Sequence, residues 1–499
     1  MKRIAVITIC VLGLVSCKKF LAERSQSDVI PRSTKDFGEI LYSNGYPTVN
    51  TLMQPYITLM DDDVQSYNGN SLIDIQPAVT HNAGAYQWQP DFIDVCKAAG
   101  SSTTESFNSW TVYYQLILGT NVALQYLDGS DGSTAEKNMY KGEAYALRAF
   151  YYFMLVNLYG KPYNDSSTTP DKSPGVPLML SANLSEALPA RNSVKEVYDR
   201  VVKDLDSAMI LLDQVKINRP GYRISNVAAH LLASRIYLHM EQWNKVIEHA
   251  DYVLSYHPQL MDLNTWGDPD PVNKRIIGAG NVETIWYYGS NDEGFTEGMN
   301  TAYDISGSLA ACFDSTDART KVYFQETLPF LKQYTPCDYG SQKSWGSSGD
   351  ATHTNMGSSW RSSEAYLNRA EAYIQLYKTK GDVSAATEAL KSLNTLRAKR
   401  IDPASFANWG VRPPDELLQM CRTERRRELF RECTHRWFDL RRYGMPSITH
   451  IYAPTPTTRI IYKLAARDPQ YVIPIPNKIL IRNTALMQNL QLTGPRQGQ

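Results

Sequence analysis

The sequence predicts a mainly α-helical, tetratricopeptide-like repeat scaffold interrupted by a long loop-rich insertion. Two helical pairs carry the first half of that expectation. Ile224 to Leu254 places Ala228, Ala229 and Ala233, then Tyr237, a turn, Trp243 and Ala250; Ser363 to Arg397 places Ala365, Ala370, Tyr373, a turn at Gly381-Asp382, then Ala386 and Ala389. Small side chains at such positions let paired helices approach closely, as in tetratricopeptide repeats. The two copies are imperfect and far apart, which fits a repeat scaffold split by insertions. The insertion itself, Tyr256 to Trp360, is rich in Pro, Gly, Ser and Asp and shows one strand-like stretch, Glu283 to Tyr288. Long loops on a rigid scaffold are where binding usually resides.

Taken in order, the chain opens on a targeting segment, residues 1–16. Lys2 and Arg3 precede an apolar run from Ile4 to Val15. A spanning helix needs about 20 apolar residues, so this reads as a signal peptide and not an anchor. Leu14-Val15-Ser16-Cys17 looks like a bacterial lipobox, with cleavage before Cys17 and acylation of its thiol. Two or more acyl chains anchor stably, at about 0.8 kcal/mol per buried methylene. The plainer alternative is an ordinary secreted protein. Residues 18–30 read as a polar tether, and no later run approaches membrane length.

Thr34 to about Tyr42 is predicted as a short helix capped by Ser33 or Thr34. Residues 43–105 read as irregular and carry Tyr46, Tyr56, Tyr67, Tyr86 and Trp88; Asp61-Asp62-Asp63 within them reads as a solvated loop, since no EF-hand spacing follows. Trp110, Tyr114, Ile117 and Asn121 are spaced as on a helix. Lys141 to Pro162 is apolar nearly all round and predicts a buried helix closed by Gly160 and Pro162. Ser193, with Glu196 three residues on, predicts a capping box for a helix to about Leu212. The chain thus divides into 1–16 (signal peptide), 17–255 (first half, with helical hairpins), 256–360 (insertion and candidate ligand-binding region) and 361–499 (second half).

Arg422 to Gly444 organises the second half. Leu429, Cys433, Trp437 and Leu440 recur at helical spacing and predict one buried face. The remainder holds eight Arg against three Glu and one Asp. Glu424 is placed to meet Arg427, and Glu432 to meet Arg436. Interleaved signs predict a salt-bridged helix and not an electrostatic footprint for phosphates. With 51 basic and 51 acidic residues overall, the charge gives no reason to expect nucleic acid.

Chemistry is otherwise sparse. Seven Cys lack CxxC or metal spacing, and whether Cys312 and Cys337 pair is open. No HExxH, GxSxG, Walker or Rossmann pattern occurs, and neither metal nor cofactor is expected. Asp268 and Asp270 beside Trp266 are the first suspects for a glycosidase pair. The 32 Tyr and 9 Trp suit a binding protein better, since flat sugar faces stack on aromatic rings. Trp88, Trp266 and Trp345 sit in aperiodic stretches and lead the candidates, followed by Tyr86, Tyr67, Trp286 and Tyr288. Trp110, Trp243 and Trp437 fall on helical stripes and read as core.

Glu424, Arg425, Arg426, Glu428, Leu429, Glu432, Arg436, Trp437, Phe438, Asp439, Leu440 and Arg441 together resemble the signature of the SusD/RagB family of outer-membrane nutrient-binding lipoproteins. Cys17-Lys18-Lys19-Phe20-Leu21, the Trp110 helix, the Lys141 to Pro162 helix and the closing stretch Tyr471 to Asn489 resemble the family too, although Thr484 stands where proline is expected. The resemblance implies a cell-surface lipoprotein that binds an oligosaccharide or polysaccharide. It also implies delivery to a SusC-like TonB-dependent transporter docked on the helical-repeat face. An oligopeptide ligand, as in RagB-like members, is the near alternative. A tetratricopeptide-type interaction scaffold and a glycosidase are the distant ones.

Overall fold

The computed structural model describes residues 31–66, 72–101, 107–183, 188–215, 220–266, 276–290, 302–326, 339–341, 356–432 and 434–499. The signal peptide, Cys17, Tyr67, Asp268, Asp270, Cys337, Trp345 and Cys433 lie outside them. What is described is mainly helical.

Helix α1 (Thr34–Gly45) starts on Ser33, whose hydroxyl accepts from Asp36 N while the Asp36 carboxylate accepts from Ser33 N. A 3-10 turn (Pro55–Leu59) and strand β1 (Val64–Ser66) follow, then short helices α2 (Leu72–His81), α3 (Ala83–Tyr86) and α4 (Phe92–Ala98). The stretch 43–105, expected to be irregular, is therefore partly helical. Its helices are of 10, 4 and 7 residues, too short to leave a clear period in the sequence.

Helices α5 (Ser109–Tyr126) and α6 (Thr134–Tyr159) pack against α1. Gly119 makes the α1–α5 approach feasible, because a Cβ there would meet Asn44 O at 2.2 Å. The second half of α6 is buried on nearly every side, as its composition predicts. Helix α7 (Val194–Leu212) lies along it and begins with the expected Ser193–Glu196 capping box. Helices α8 (Asn226–His239) and α9 (Trp243–Tyr256) are the first predicted pair.

The insertion contributes β2 (Thr284–Tyr288), β3 (Tyr303–Ile305), α10 (Gly307–Ala310), α11 (Arg319–Val322), β4 (Phe324–Glu326), β5 (Tyr339–Ser341) and β6 (Ser358–Arg361). Its strands pair antiparallel as β1–β3, β2–β6 and β4–β5, so the insertion is stitched to the N-terminal segment through Ser66 opposite Tyr303.

The second pair, α12 (Ser362–Lys380) and α13 (Val383–Arg397), turns at Gly381, which adopts φ +69°. That left-handed conformation favours glycine at a helix C-terminus. The organising run is not one helix: α14 (Pro414–Leu429) ends, Arg431 and Thr434 adopt φ +55° and +61°, and α15 (His435–Arg442) begins in a new direction. A hairpin of β7 (Ile448–Thr455) and β8 (Thr458–Leu464), unanticipated from sequence, and α16 (Asn477–Arg482) complete the chain. One large core runs through both halves; a second lies among α12, α13 and α14; a third, built on Leu263, Ile305, Tyr323, Phe324 and Phe430, underlies the insertion. No helix among the described residues is long and apolar enough to cross a membrane.

Candidate functional site

The signature residues build a buried charged frame that fastens the insertion to the scaffold. Glu428 accepts from Arg319 (3.1 Å), Arg361 (3.0 Å), Arg400 (2.9 Å) and the Tyr323 hydroxyl (3.0 Å). Glu283, just before β2, accepts from Arg361 at 2.8 Å and Arg400 at 2.7 Å, and Asp317 pairs with Arg319 at 2.7 Å. Burial works against ionisation of Glu428, but Arg400 and Arg361 outweigh it and hold its carboxyl well below the usual range. Full occupancy of such a network is what makes burying these charges tolerable.

The expected Glu424–Arg427 pair is present at 2.9 Å. Glu432, by contrast, pairs with Arg361 at 2.7 Å, and Arg436 binds Asp62 at 2.6 and 2.7 Å. The break between α14 and α15 redirects both side chains. Arg426 binds Asp63 at 2.6 Å. Asp61-Asp62-Asp63 is thus no solvated loop: Asp62 and Asp63 tie the N-terminal segment to Arg436 and Arg426. Asp61 is fully enclosed, and burial pushes its carboxyl well above the usual range.

The leading aromatic candidates occupy the interior. Trp88 is 1% exposed, adopts φ +52°, donates its indole N–H to Met60 O at 2.8 Å and stacks on His450 at 4.1 Å. Tyr86, also buried, covers the other face of His450 at 4.2 Å. Trp286 and Tyr288 stack on each other at 4.2 Å, with Trp360 of the paired strand 4.5 Å from Trp286. These four rings are core, contrary to expectation. Hairpin β7–β8 covers the first two, and Phe150 of α6 packs edge-on against Trp286, Tyr288 and Trp360, so the aromatics of the β2–β6 pair face protein. Trp266 is different: it is half-buried at the edge of the third core, on a 3-10 turn capped by Asp262, which Lys399 pairs at 2.9 Å. Phe313 sits at the same edge, 5.0 Å from Phe324.

Among the described residues, surface clefts open away from this edge. A cleft of about 600 Å³ mixes Lys161, Lys172, Arg191 and Arg467 with Asp165 and Asp468. One of about 490 Å³ separates α1 from α5, and one of about 350 Å³ lies over Trp110 and Tyr114. The helical stripe that placed Trp110 in the core left no sign that its turn also floors a cleft. No group of three or more His, Cys, Asp or Glu among the described residues could hold a metal.

Comparisons with known proteins agree with this architecture. Residues 19–238 match a family model described as starch-binding associating with outer membrane, and residues 281–491 match one described as the SusD family. SusD-like protein P2 of Formosa agariphila is 24% identical over 426 residues, 76% of this chain and 79% of that protein. SusD-like protein P38 of the same organism is 32% identical over 157 residues, 30% of this chain, so that the match spans 27% of P38. A crystal structure of a SusD superfamily protein from Bacteroides thetaiotaomicron superposes with a TM-score of 0.69 at 23% identity, over 92% of this chain and 100% of the other.

Proposed function

The chain belongs to the SusD/RagB family of outer-membrane nutrient-binding proteins, and from that premise we propose that it captures a glycan at the cell surface and passes it to a SusC-like TonB-dependent transporter. The observation that carries the reading is the match of both halves, one of them to a model described as starch-binding. The charged frame supports it, since it fixes an aromatic-edged insertion on a helical scaffold. The helix pairs α8–α9 and α12–α13 are of tetratricopeptide type in this reading, and their exposed face is the transporter's docking surface.

Lipid attachment at Cys17 is part of the same proposal, and it places the protein on the outer membrane. Of the expected ligand aromatics, Trp266 remains with Tyr67 and Trp345; the four buried rings are withdrawn. Family members are binding proteins without catalytic activity. Titration calorimetry against a panel of neutral and acidic glycans and of oligopeptides tests the ligand class. Binding confined to peptides would replace the glycan with a RagB-like ligand.

A further inference from the structure

The cleft of about 600 Å³ is lined by residues of the segments 161–174, 190–193, 467–472 and 485–490 with Met445, and all of these segments are among the described residues. Its size is in the middle of the range for ligand cavities, roughly 300–1,000 Å³. It lies at the C-terminal end of α6, where two guanidinium groups meet the last carbonyls. Arg191 donates to Tyr159 O at 2.7 Å, and Arg441 of α15 donates to Gly160 O.

Buried cations are almost always paired with an opposite charge, as Arg148, Arg319 and Arg425 are here. Arg441 is 2% exposed and has no ion pair among the described residues. Arg191 spends its donors on Tyr159 O, Pro174 O, Gly175 O, Met487 O and Asn489 Oδ1, none of them a carboxylate. Burial pushes both guanidinium groups down to about 10. The dipole of α6 offsets about half a charge. Asp468 is taken by Arg496 at 2.8 Å, and Asp165 is shared by Arg467 at 2.9 Å and, farther off, by Lys161 and Arg441. Lys172, exposed on the rim, has the exposed Asp171 beside it and no ion pair among the described residues. The cleft is left with an excess of positive charge.

Two polar atoms in its lining have no hydrogen-bond partner: the hydroxyl of Ser173, next in sequence to Lys172 and 3% exposed, and Oδ2 of Asp165. Buried polar groups nearly always have one. The first is a donor beside cations, the second an acceptor. No lining residue is aromatic, whereas Pro174, Val472, Met487 and Leu490 give aliphatic walls. A neutral sugar finds no ring to stack on here and no use for the charge. An acidic sugar answers each feature: its oxyanion meets the cations and Ser173, a hydroxyl donates to Asp165, and its C–H faces lie on the aliphatic walls.

We propose that this cleft is a subsite for the oxyanion of an acidic saccharide, a uronate carboxylate or a sulfate ester, held by Lys172, Lys161 and Ser173 in the field of Arg191 and Arg441. It rests on the glycan reading given above, and none of its residues belongs to the Trp266 edge. An acidic peptide would meet the same cations, but it sets carbonyl oxygens as often as donors against Asp165.

The test is calorimetric titration of trigalacturonate, trimannuronate, a sulfated carrageenan tetrasaccharide, neutral maltotriose and mannotriose, inorganic sulfate and a Glu-rich peptide. The proteins are wild type, Lys172→Glu, Ser173→Ala and Trp266→Ala. Lys172 is exposed and the Ser173 hydroxyl holds nothing in the protein, so both cleft variants should melt as wild type does. The expected result is that at least one acidic oligosaccharide binds wild type, binds Lys172→Glu at least tenfold more weakly and binds Ser173→Ala several-fold more weakly. Preference between the uronates and the sulfated sugar then names the oxyanion. Equal acidic-sugar affinity in wild type and both cleft variants, with loss only in Trp266→Ala, removes the cleft and leaves the glycan reading standing, and so does binding confined to neutral sugars. Absence of binding by every sugar removes both. Inorganic sulfate binding as tightly as the best acidic sugar makes this a free-anion site, and peptide binding that the cleft variants abolish, without sugar binding, makes it a peptide site; either overturns the proposal.

Discussion

The imidazole of His450 lies against the indole of Trp88, with ring centroids 4.1 Å apart, and its two nitrogens stand 2.8 Å from the carbonyl oxygens of Tyr86 and Asp61. Trp88 is therefore a fixture between the N-terminal segment and the β7–β8 hairpin. Truncating it leaves a large cavity and an unpartnered Met60 carbonyl. Trp88→Ala should destabilise the fold by about 3–5 kcal/mol, the range for buried Trp or Phe truncation. Ligand affinity of the folded fraction should stay unchanged. Denaturant unfolding and calorimetry on one preparation separate the two effects; lost affinity at wild-type stability would return Trp88 to the binding face.

Why sequence misplaced Trp88 follows from the elements around it. The signal for its burial is tertiary: α3 has 4 residues, and the covering strand lies more than 350 residues away. Long elements with local signals were legible. Ser193–Glu196, Gly381 and the apolar faces of α6 all stand where their patterns put them. The signature run was legible as a salt-bridged structure but not in its partners, because positive φ at Arg431 and Thr434 turns α15 aside. Trp286 and Tyr288 were misread for another reason. The strand was foreseen, but the burial of these two rings comes from Trp360 of β6 and Phe150 of α6, which period alone does not announce.

Glu428 carries the frame, so removing it should cost far more than removing a solvated charge. Glu428→Ala takes away the carboxylate that Arg319, Arg361 and Arg400 share and leaves three buried guanidinium groups on Asp317, Glu283 and Glu432, and breaking a buried pair typically costs about 3–5 kcal/mol. Chemical denaturation should show that loss, and limited proteolysis should show the insertion released before the scaffold. Unfolding like wild type would mean that the network contributes little.

Acid should weaken the protein in two steps. Burial holds His230, His249 and His450 down to about 4, whereas the unfolded chain protonates its histidines near ~6.5. The unfolded state thus binds more protons between these values, and stability falls as pH drops from about 6.5 toward 4. The carboxylates come next. Burial opposes ionisation of Asp439, but Arg425 and Arg442 outweigh it and hold it down to about 2. Its contribution is complete above the unfolded value of ~3.9 and is lost as pH falls through about 2. Unfolding free energies from pH 8 to 3 should be flat above 7 and decline below 6.5. A double variant, His230→Asn with His249→Asn, should make the first step shallower, and an unchanged slope would remove these two from it.

Cys17→Ala should abolish lipid labelling and leave the precursor unprocessed or the protein released, because the apolar run from Ile4 to Val15 is too short to span a bilayer. Membrane fractionation with radiolabelled palmitate reads both. Outer-membrane retention with normal labelling would rule out Cys17 as the acylated residue.

Trp266 is the described aromatic best placed to meet a ligand on the insertion. It is only half-buried, yet its backbone is fixed: Asp262 caps the turn before it, Leu263 N donates to Lys399 O at 3.0 Å, and Lys399 returns an ion pair to Asp262. A ring fixed from behind pays little ordering entropy on stacking. The third core beneath it keeps Leu263, Tyr323 and Phe324 without Trp266, so Trp266→Ala should lower the melting temperature only slightly. Glycan affinity should weaken by about 1–3 kcal/mol, the usual range for an anchoring aromatic. Trp266→Phe should recover most of it, since a flat apolar face is what the sugar uses. A panel titration in which Trp266→Ala binds every glycan as wild type does would move the ligand off this edge of the insertion.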